Sequence, residues 1–170
     1  MRRYRDALFA GLPQPLPERP AQLLQAFCGC AARGSGREVR LMFEEFPPDT
    51  ATGLWLDMGD YDLIVVEANT SALHQVVILG HELWHLKEGH CGHGGTAAAT
   101  AAARMLGDDW SLAEAVRHVA ARTEPDLEEE RRAEEFGRML ADRTRPHLER
   151  SRGAVPSGGV SGRIWASLRG

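Results

Sequence analysis

Lysine is almost missing from this chain: Lys87 stands alone among basic side chains that are otherwise arginine. Arginine keeps the positive charge, so the bias reads as codon composition more than as a functional choice. Cysteine is scarce too. Cys28, Cys30 and Cys91 are an odd number, and Gly29 alone separates the first two, which argues against a disulfide framework. A zinc knuckle is equally poorly served, because the two-residue gap and a second cysteine pair are both missing. The expected role of Cys28 and Cys30 is that of small apolar side chains near a helix end. No apolar run reaches the length of about 18 residues that a membrane span needs, and MRRYRDALFAGLPQPLPERP is too rich in proline for a signal peptide. A cytoplasmic protein without membrane association is expected. A formal net charge of −4 gives no overall attraction to nucleic acid or anionic lipid.

What is present suffices for one domain, since a chain of 170 residues can bury a substantial core. PAQLLQAFCGCAARGSG sets Leu23, Leu24 and Phe27 at helical spacing and stops at RGSG, within an N-terminal helical segment over 1–36. REVRLMFEEF, halted by Pro47 and Pro48, and two extended runs, Leu54–Met58 and Tyr61–Val66, predict strands over 37–68. Gly59 and Asp60 join the last two as a β-hairpin. Polar Asn69, Thr70 and Ser71 then open a long buried helix over 69–90. CGHGGTAAATAAARMLGDD reads as loop that admits helix. Asp108 or Asp109 can cap a helix through WSLAEAVRHVAAR, and Pro125 suits the first turn of PDLEEERRAEEFGRMLADR. Arg145 and Pro146 are expected to end or kink that helix. Helices over 108–145 complete a domain over 1–146, and the Gly, Ser and Arg of 147–170 predict a flexible tail.

The densest chemistry lies in VVILGHELWHLKEGHCGHGG, from Val76 to Gly95. His81 and His85 are one helical turn apart, so both imidazoles project from one face and can share an ion. Glu82 lies beside them. In H-E-x-x-H the two neutral imidazoles ligate Zn²⁺ and the carboxylate reaches the water on the metal, acting as general base. A buried helix is a costly place for two histidines and a glutamate without such a partner. Gly80, just before His81, leaves room for a strand or a substrate backbone, or simply for close packing.

A catalytic zinc needs a third protein ligand and an open position. His90, Cys91 and His93 follow closely, but His90 comes five residues after His85, where the metzincin pattern places a histidine six after. LEEERRAEEFGRML is the better source. At helical spacing Glu130, Ala133, Glu134, Gly137 and Ala141 share one arc with Phe136 and Leu140 at its edge, a small apolar face that can pack closely and deliver Glu130. Glu134, one turn on, is placed to orient a ligating histidine. Glu128 and Glu129 read as solvated charges at a helix N-terminus.

With HELWH at 81–85 and E-x-x-A-x-x-F at Glu130, Ala133 and Phe136, the stretch from about Arg37 to Leu140 resembles the ImmA/IrrE family of zinc metallopeptidases. The family usually has alanine where this chain has Gly137. The resemblance implies an α+β fold, with a small antiparallel or mixed three-stranded sheet on a helical zincin-like core that buries the HExxH helix. It also implies Zn²⁺ held by His81, His85 and Glu130, with Glu82 as general base. Members cleave or inactivate a partner helix-turn-helix repressor, and some are toxins of toxin–antitoxin pairs. No helix-turn-helix is recognisable in this chain, so a separate repressor is expected to bind any DNA. Two other readings keep the same residues: a non-catalytic toxin or regulatory module, and a hydrolase of small amides. For a transition-state donor the sequence offers Tyr61, His118 or an arginine.

Overall fold

The computed structural model describes residues 1–46, 51–90 and 127–153. Three strands form a mixed sheet: β1 (Glu38–Glu44), β2 (Gly53–Asp57) and β3 (Tyr61–Glu67), in the order β1-β3-β2. β1 runs parallel to β3, and β2 pairs antiparallel, with Trp55 opposite Ile64. The predicted hairpin is therefore present, beside the earlier strand. Gly59 turns it at a φ of +86°, in the region that favours glycine, and the Asp57 carboxylate accepts the Gly59 N–H at 2.9 Å.

As the central strand, β3 is covered on both faces, which explains its unbroken apolar run. Val39, Ile64 and Val66 point into the main core with the helices. Leu54, Leu56, Leu63 and Val65 form a second cluster with Phe46, Met58 and Tyr61. The coarse class is α+β.

Two helices precede the sheet, α1 (Arg2–Ala10) and α2 (Pro20–Ser35). The sequence marks α2 by its apolar spacing, and Leu23, Leu24, Phe27 and Cys28 are indeed fully buried. It gives no comparable sign for α1, whose one buried residue is Leu8. After the sheet, α3 (Ala72–His90) begins where expected: Ser71 Oγ accepts the His74 N–H at 3.2 Å, satisfying one unpaired donor of the first turn. Val76, Leu79, Leu83 and Leu86 sink its length into the core.

The last described helix is α4 (Leu127–Gly153), and it corrects one expectation. Arg145 and Pro146 do not end it, so residues 147–153 belong to the helix and not to a tail. An interior proline costs about 3 kcal/mol through its lost N–H and ring clash. Tertiary contacts oppose that cost: Leu148 is buried, and His147 Nε2 donates to the Pro17 carbonyl at 2.8 Å.

α3 and α4 lie against each other at two glycines. A Cβ on Gly80 would come 2.7 Å from Gly137 Cα, and one on Gly137 would strike the Val77 carbonyl. The two backbones touch, and α4 runs antiparallel to α3. The expected loop from Cys91, the cap at Asp108 or Asp109, the helix that follows it, Pro125 and the tail beyond 153 lie outside the described residues. No helix among the described residues is long and apolar enough to cross a membrane.

Candidate metal centre

One turn of α3 sets the His81 and His85 rings with centroids 4.7 Å apart and Nε2 atoms 3.0 Å apart. The antiparallel run of α4 from the Gly80–Gly137 contact brings Glu130 over both rings. Its Oε2 lies 3.3 Å from His81 Nε2 and its Oε1 3.4 Å from His85 Nε2. Among the described residues these three form the group able to hold a metal ion, with ligand atoms all within 4.8 Å of one another.

The donor set can be tested against an ion. Bonds of about 2.0–2.1 Å in a tetrahedron require ligand–ligand edges of about 3.3–3.4 Å. Here the two Nε2 atoms are 3.0 Å apart and each faces a different Glu130 oxygen, at 3.3 and 3.4 Å. The carboxylate thus sits astride both imidazoles, close enough for small shifts to bring one oxygen and the two nitrogens round a single ion.

Glu129, read from the sequence as a solvated charge, has a different place. Its Oε1 lies 3.3 Å from His85 Nδ1, the nitrogen that faces away from the cluster. Accepting a hydrogen bond from Nδ1–H there fixes the tautomer that leaves the Nε2 lone pair free for a cation. Glu134, foreseen as an orienting group, pairs along α4 with Arg138, and it is the charge of its carboxylate that acts on His81. The antiparallel packing explains the exchange. His85 lies one turn beyond His81 toward the start of α4, and Glu129 lies on that side of Glu130.

Glu82 is 8% exposed. Burial pushes its carboxyl above the usual carboxylate range, partly offset by His81, His85 and a main-chain hydrogen bond from Trp55. At His81, burial acts downward but loses to the hydrogen bond with Glu130 and the charges of Glu82, Glu130 and Glu134, which raise the imidazole. Glu130 is held low by the His81 hydrogen bond, against its partial burial.

β2 supports this turn of α3 from above. A Cβ on Gly53 would strike Ile78 Cγ2 and lie 2.7 Å from Glu82 Oε1, so any larger residue there would displace the Ile78 and Glu82 side chains. The Trp55 ring packs where a Gly89 side chain would be, while its Nε1 donates to buried Asp62 at 2.9 Å. Of the two uses foreseen for Gly80, close packing is the one realised; the strand approaches at Gly53.

Beside the ligands opens a cleft of about 430 Å³ that His81 and Glu82 line. Tyr61 is not part of it, packing instead under the Arg40 guanidinium, 3.7 Å from the ring centroid. Arg138 does line it. His118, Cys91 and His93 lie outside the described residues, as does the His90 side chain. Cys28 and Cys30 are buried free thiols.

No protein-family model, no curated protein and no solved structure matches this chain.

Proposed function

We propose that the chain is a zinc metallopeptidase of the ImmA/IrrE type, built on a zincin-like core, that cleaves or inactivates a helix-turn-helix repressor. The observation that carries the reading is the convergence of His81, His85 and Glu130, whose ligand atoms lie within 4.8 Å of one another, with buried Glu82 next to them. His81, His85 and Glu130 are the ligands. Bound among them, zinc supplies Lewis acidity and brings the pKa of a coordinated water down to about 7.

The chain's own residues do the rest. Glu129 orients His85 through Nδ1. Glu82 sits where it can take a proton from the attacking water and return it to the leaving amine, and its raised pKa brings it closer to the neutral range where such transfer is efficient. A site that only held metal for structure would have no use for a buried carboxylate that is not one of its ligands. The partner is supplied by the sequence resemblance at His81–His85 and Glu130–Phe136, which names a repressor as the protein acted on.

The test is to measure bound zinc and incubate wild type and Glu82→Gln with the repressor encoded beside the gene. Cleavage by wild type, lost in Glu82→Gln while zinc stays bound, supports the peptidase. Equal derepression by both without cleavage assigns the chain to the non-catalytic toxin or regulatory class instead.

A further inference from the structure

A second buried carboxylate, outside the metal centre, stands in the sheet. Asp62 shares the core face of β3 with Ile64 and Val66 and is fully buried. An ionised carboxyl is costly to bury unless it is paired and hydrogen-bonded. Its Oδ1 accepts the Trp55 Nε1–H at 2.9 Å, and Arg37 Nε lies 3.6 Å from its Oδ2. Trp55 pairs with Ile64 across the ladder, so Asp62 is its diagonal neighbour on the same face.

The ladder also fixes which way the main chain at Trp55 points. The Thr52 carbonyl accepts the Glu67 N–H at 2.9 Å, and the Met58 N–H donates to the Tyr61 carbonyl at 3.0 Å. Bonded residues alternate along an antiparallel pair, so Leu54 and Leu56 bond to β3 while Gly53, Trp55 and Asp57 turn their N–H groups away from it. Turned outward from this edge strand, the Trp55 N–H donates to the Glu82 carboxylate. The Trp55 ring meanwhile packs on Gly89, seven residues and two turns of α3 beyond Glu82.

We propose that Asp62, by holding the Trp55 indole, sets the Trp55 N–H against the Glu82 carboxylate, so that Asp62 and Trp55 are positioning residues for the general base. Its consequence for the rate rests on the peptidase reading. A glutamate turns about three side-chain bonds, and a general base acts only within hydrogen-bond reach of the proton it takes. One N–H occupies one acceptor site of the carboxylate and leaves the others for proton transfer.

Amide exchange followed by NMR on the full chain reads the contact without turnover. In wild type the Trp55 N–H should be protected although it faces away from β3, and Glu82→Ala should speed its exchange by at least about 10-fold. Asp62→Ala should do the same at position 55 and leave Leu54 and Leu56 protected. So should Trp55→Phe, which keeps the main-chain N–H and loses the indole donor. Asp62→Asn, which keeps an acceptor oxygen, should restore protection.

On cleavage of the repressor, Asp62→Ala and Trp55→Phe should each lower kcat roughly 10-fold at unchanged KM and zinc affinity, with the double variant losing little more than either alone. Position 55 exchanging as in wild type in both variants overturns the proposal. So does faster exchange of 54, 55 and 56 together, which makes Asp62 a support of the strand as a whole, or faster exchange at 55 with kcat unchanged. If Asp62→Ala does not fold, Trp55→Phe decides. Failure of wild type to cleave removes the peptidase reading, and the exchange at position 55 still decides whether Asp62 sets the Trp55 N–H.

Discussion

Glu130 faces both imidazoles, while Glu129, next to it in the chain, reaches the back of His85. Loss of a ligand should cost more than loss of an orienting group. Glu129→Ala is expected to weaken zinc binding by roughly 10- to 100-fold, the usual effect of removing a carboxylate behind a ligating histidine. Glu130→Ala should exceed that, and His90→Ala or His93→Ala should change it little. Competition with a chromophoric chelator measures all four; a larger loss at His90 or His93 than at Glu130 would sink the ligand set. Elsewhere burial pushes the Cys28 thiol up to about 12, aided by Cys30 and partly opposed by a main-chain hydrogen bond. The folded state then keeps a proton that the unfolded chain releases above about pH 8.5, so stability contributed below that pH is lost as pH rises. By pH 10 the loss should be about 1–2 kcal/mol. Urea titrations from pH 7 to 10 should show a flatter profile for Cys28→Ala; an identical slope would refute the assignment. His81, Glu82 and His85 were legible because helical spacing alone puts them together. Glu129 was not, since which glutamate reaches His85 depends on the direction α4 takes across α3. Gly53 was hidden for a similar reason: nothing local announces that Glu82 lies beneath it.

At the scale of elements the governing contact is Gly80 against Gly137. Alanine in place of glycine inside a helix normally stabilises by about 0.5–1 kcal/mol, but a methyl forced into a backbone contact costs about 1–3 kcal/mol. Steric cost wins where the neighbour is backbone. Gly137→Ala should therefore destabilise by about 1 kcal/mol and weaken zinc binding, because the methyl meets the Val77 carbonyl and α4 must retreat with Glu130. Gly29→Ala in α2 meets only an Arg33 nitrogen at 3.7 Å and should stabilise. Thermal melts of both variants check the opposite signs. The sequence arc through Ala133 and Gly137 predicted a close-packing face, and the hairpin and α3 were readable from turn residues and apolar runs. The continuation of α4 through Pro146 was not readable, because what sustains it is distant: the Pro17 carbonyl and the burial of Leu148.

For the whole molecule, an ion at this site would join α3 to α4, elements that also share much of the core. A ligand that binds only the folded state, at free concentrations a thousand times its Kd, stabilises by about 4 kcal/mol. That corresponds to a rise in melting temperature of roughly 10 °C for a chain this long. Melts in zinc and in EDTA should differ by about that much for wild type and hardly at all for Glu130→Ala. No difference in wild type would count against a tight site. The Gly80–Gly137 contact also acts as a datum from which the site is measured. From it Glu130 lies seven residues back along α4, two turns, and His81 and His85 lie one and five residues forward along α3. Slipping either helix by one residue would turn its ligands by about 100° and shift them about 1.5 Å. The aim of three large side chains is thus held by two residues that have none.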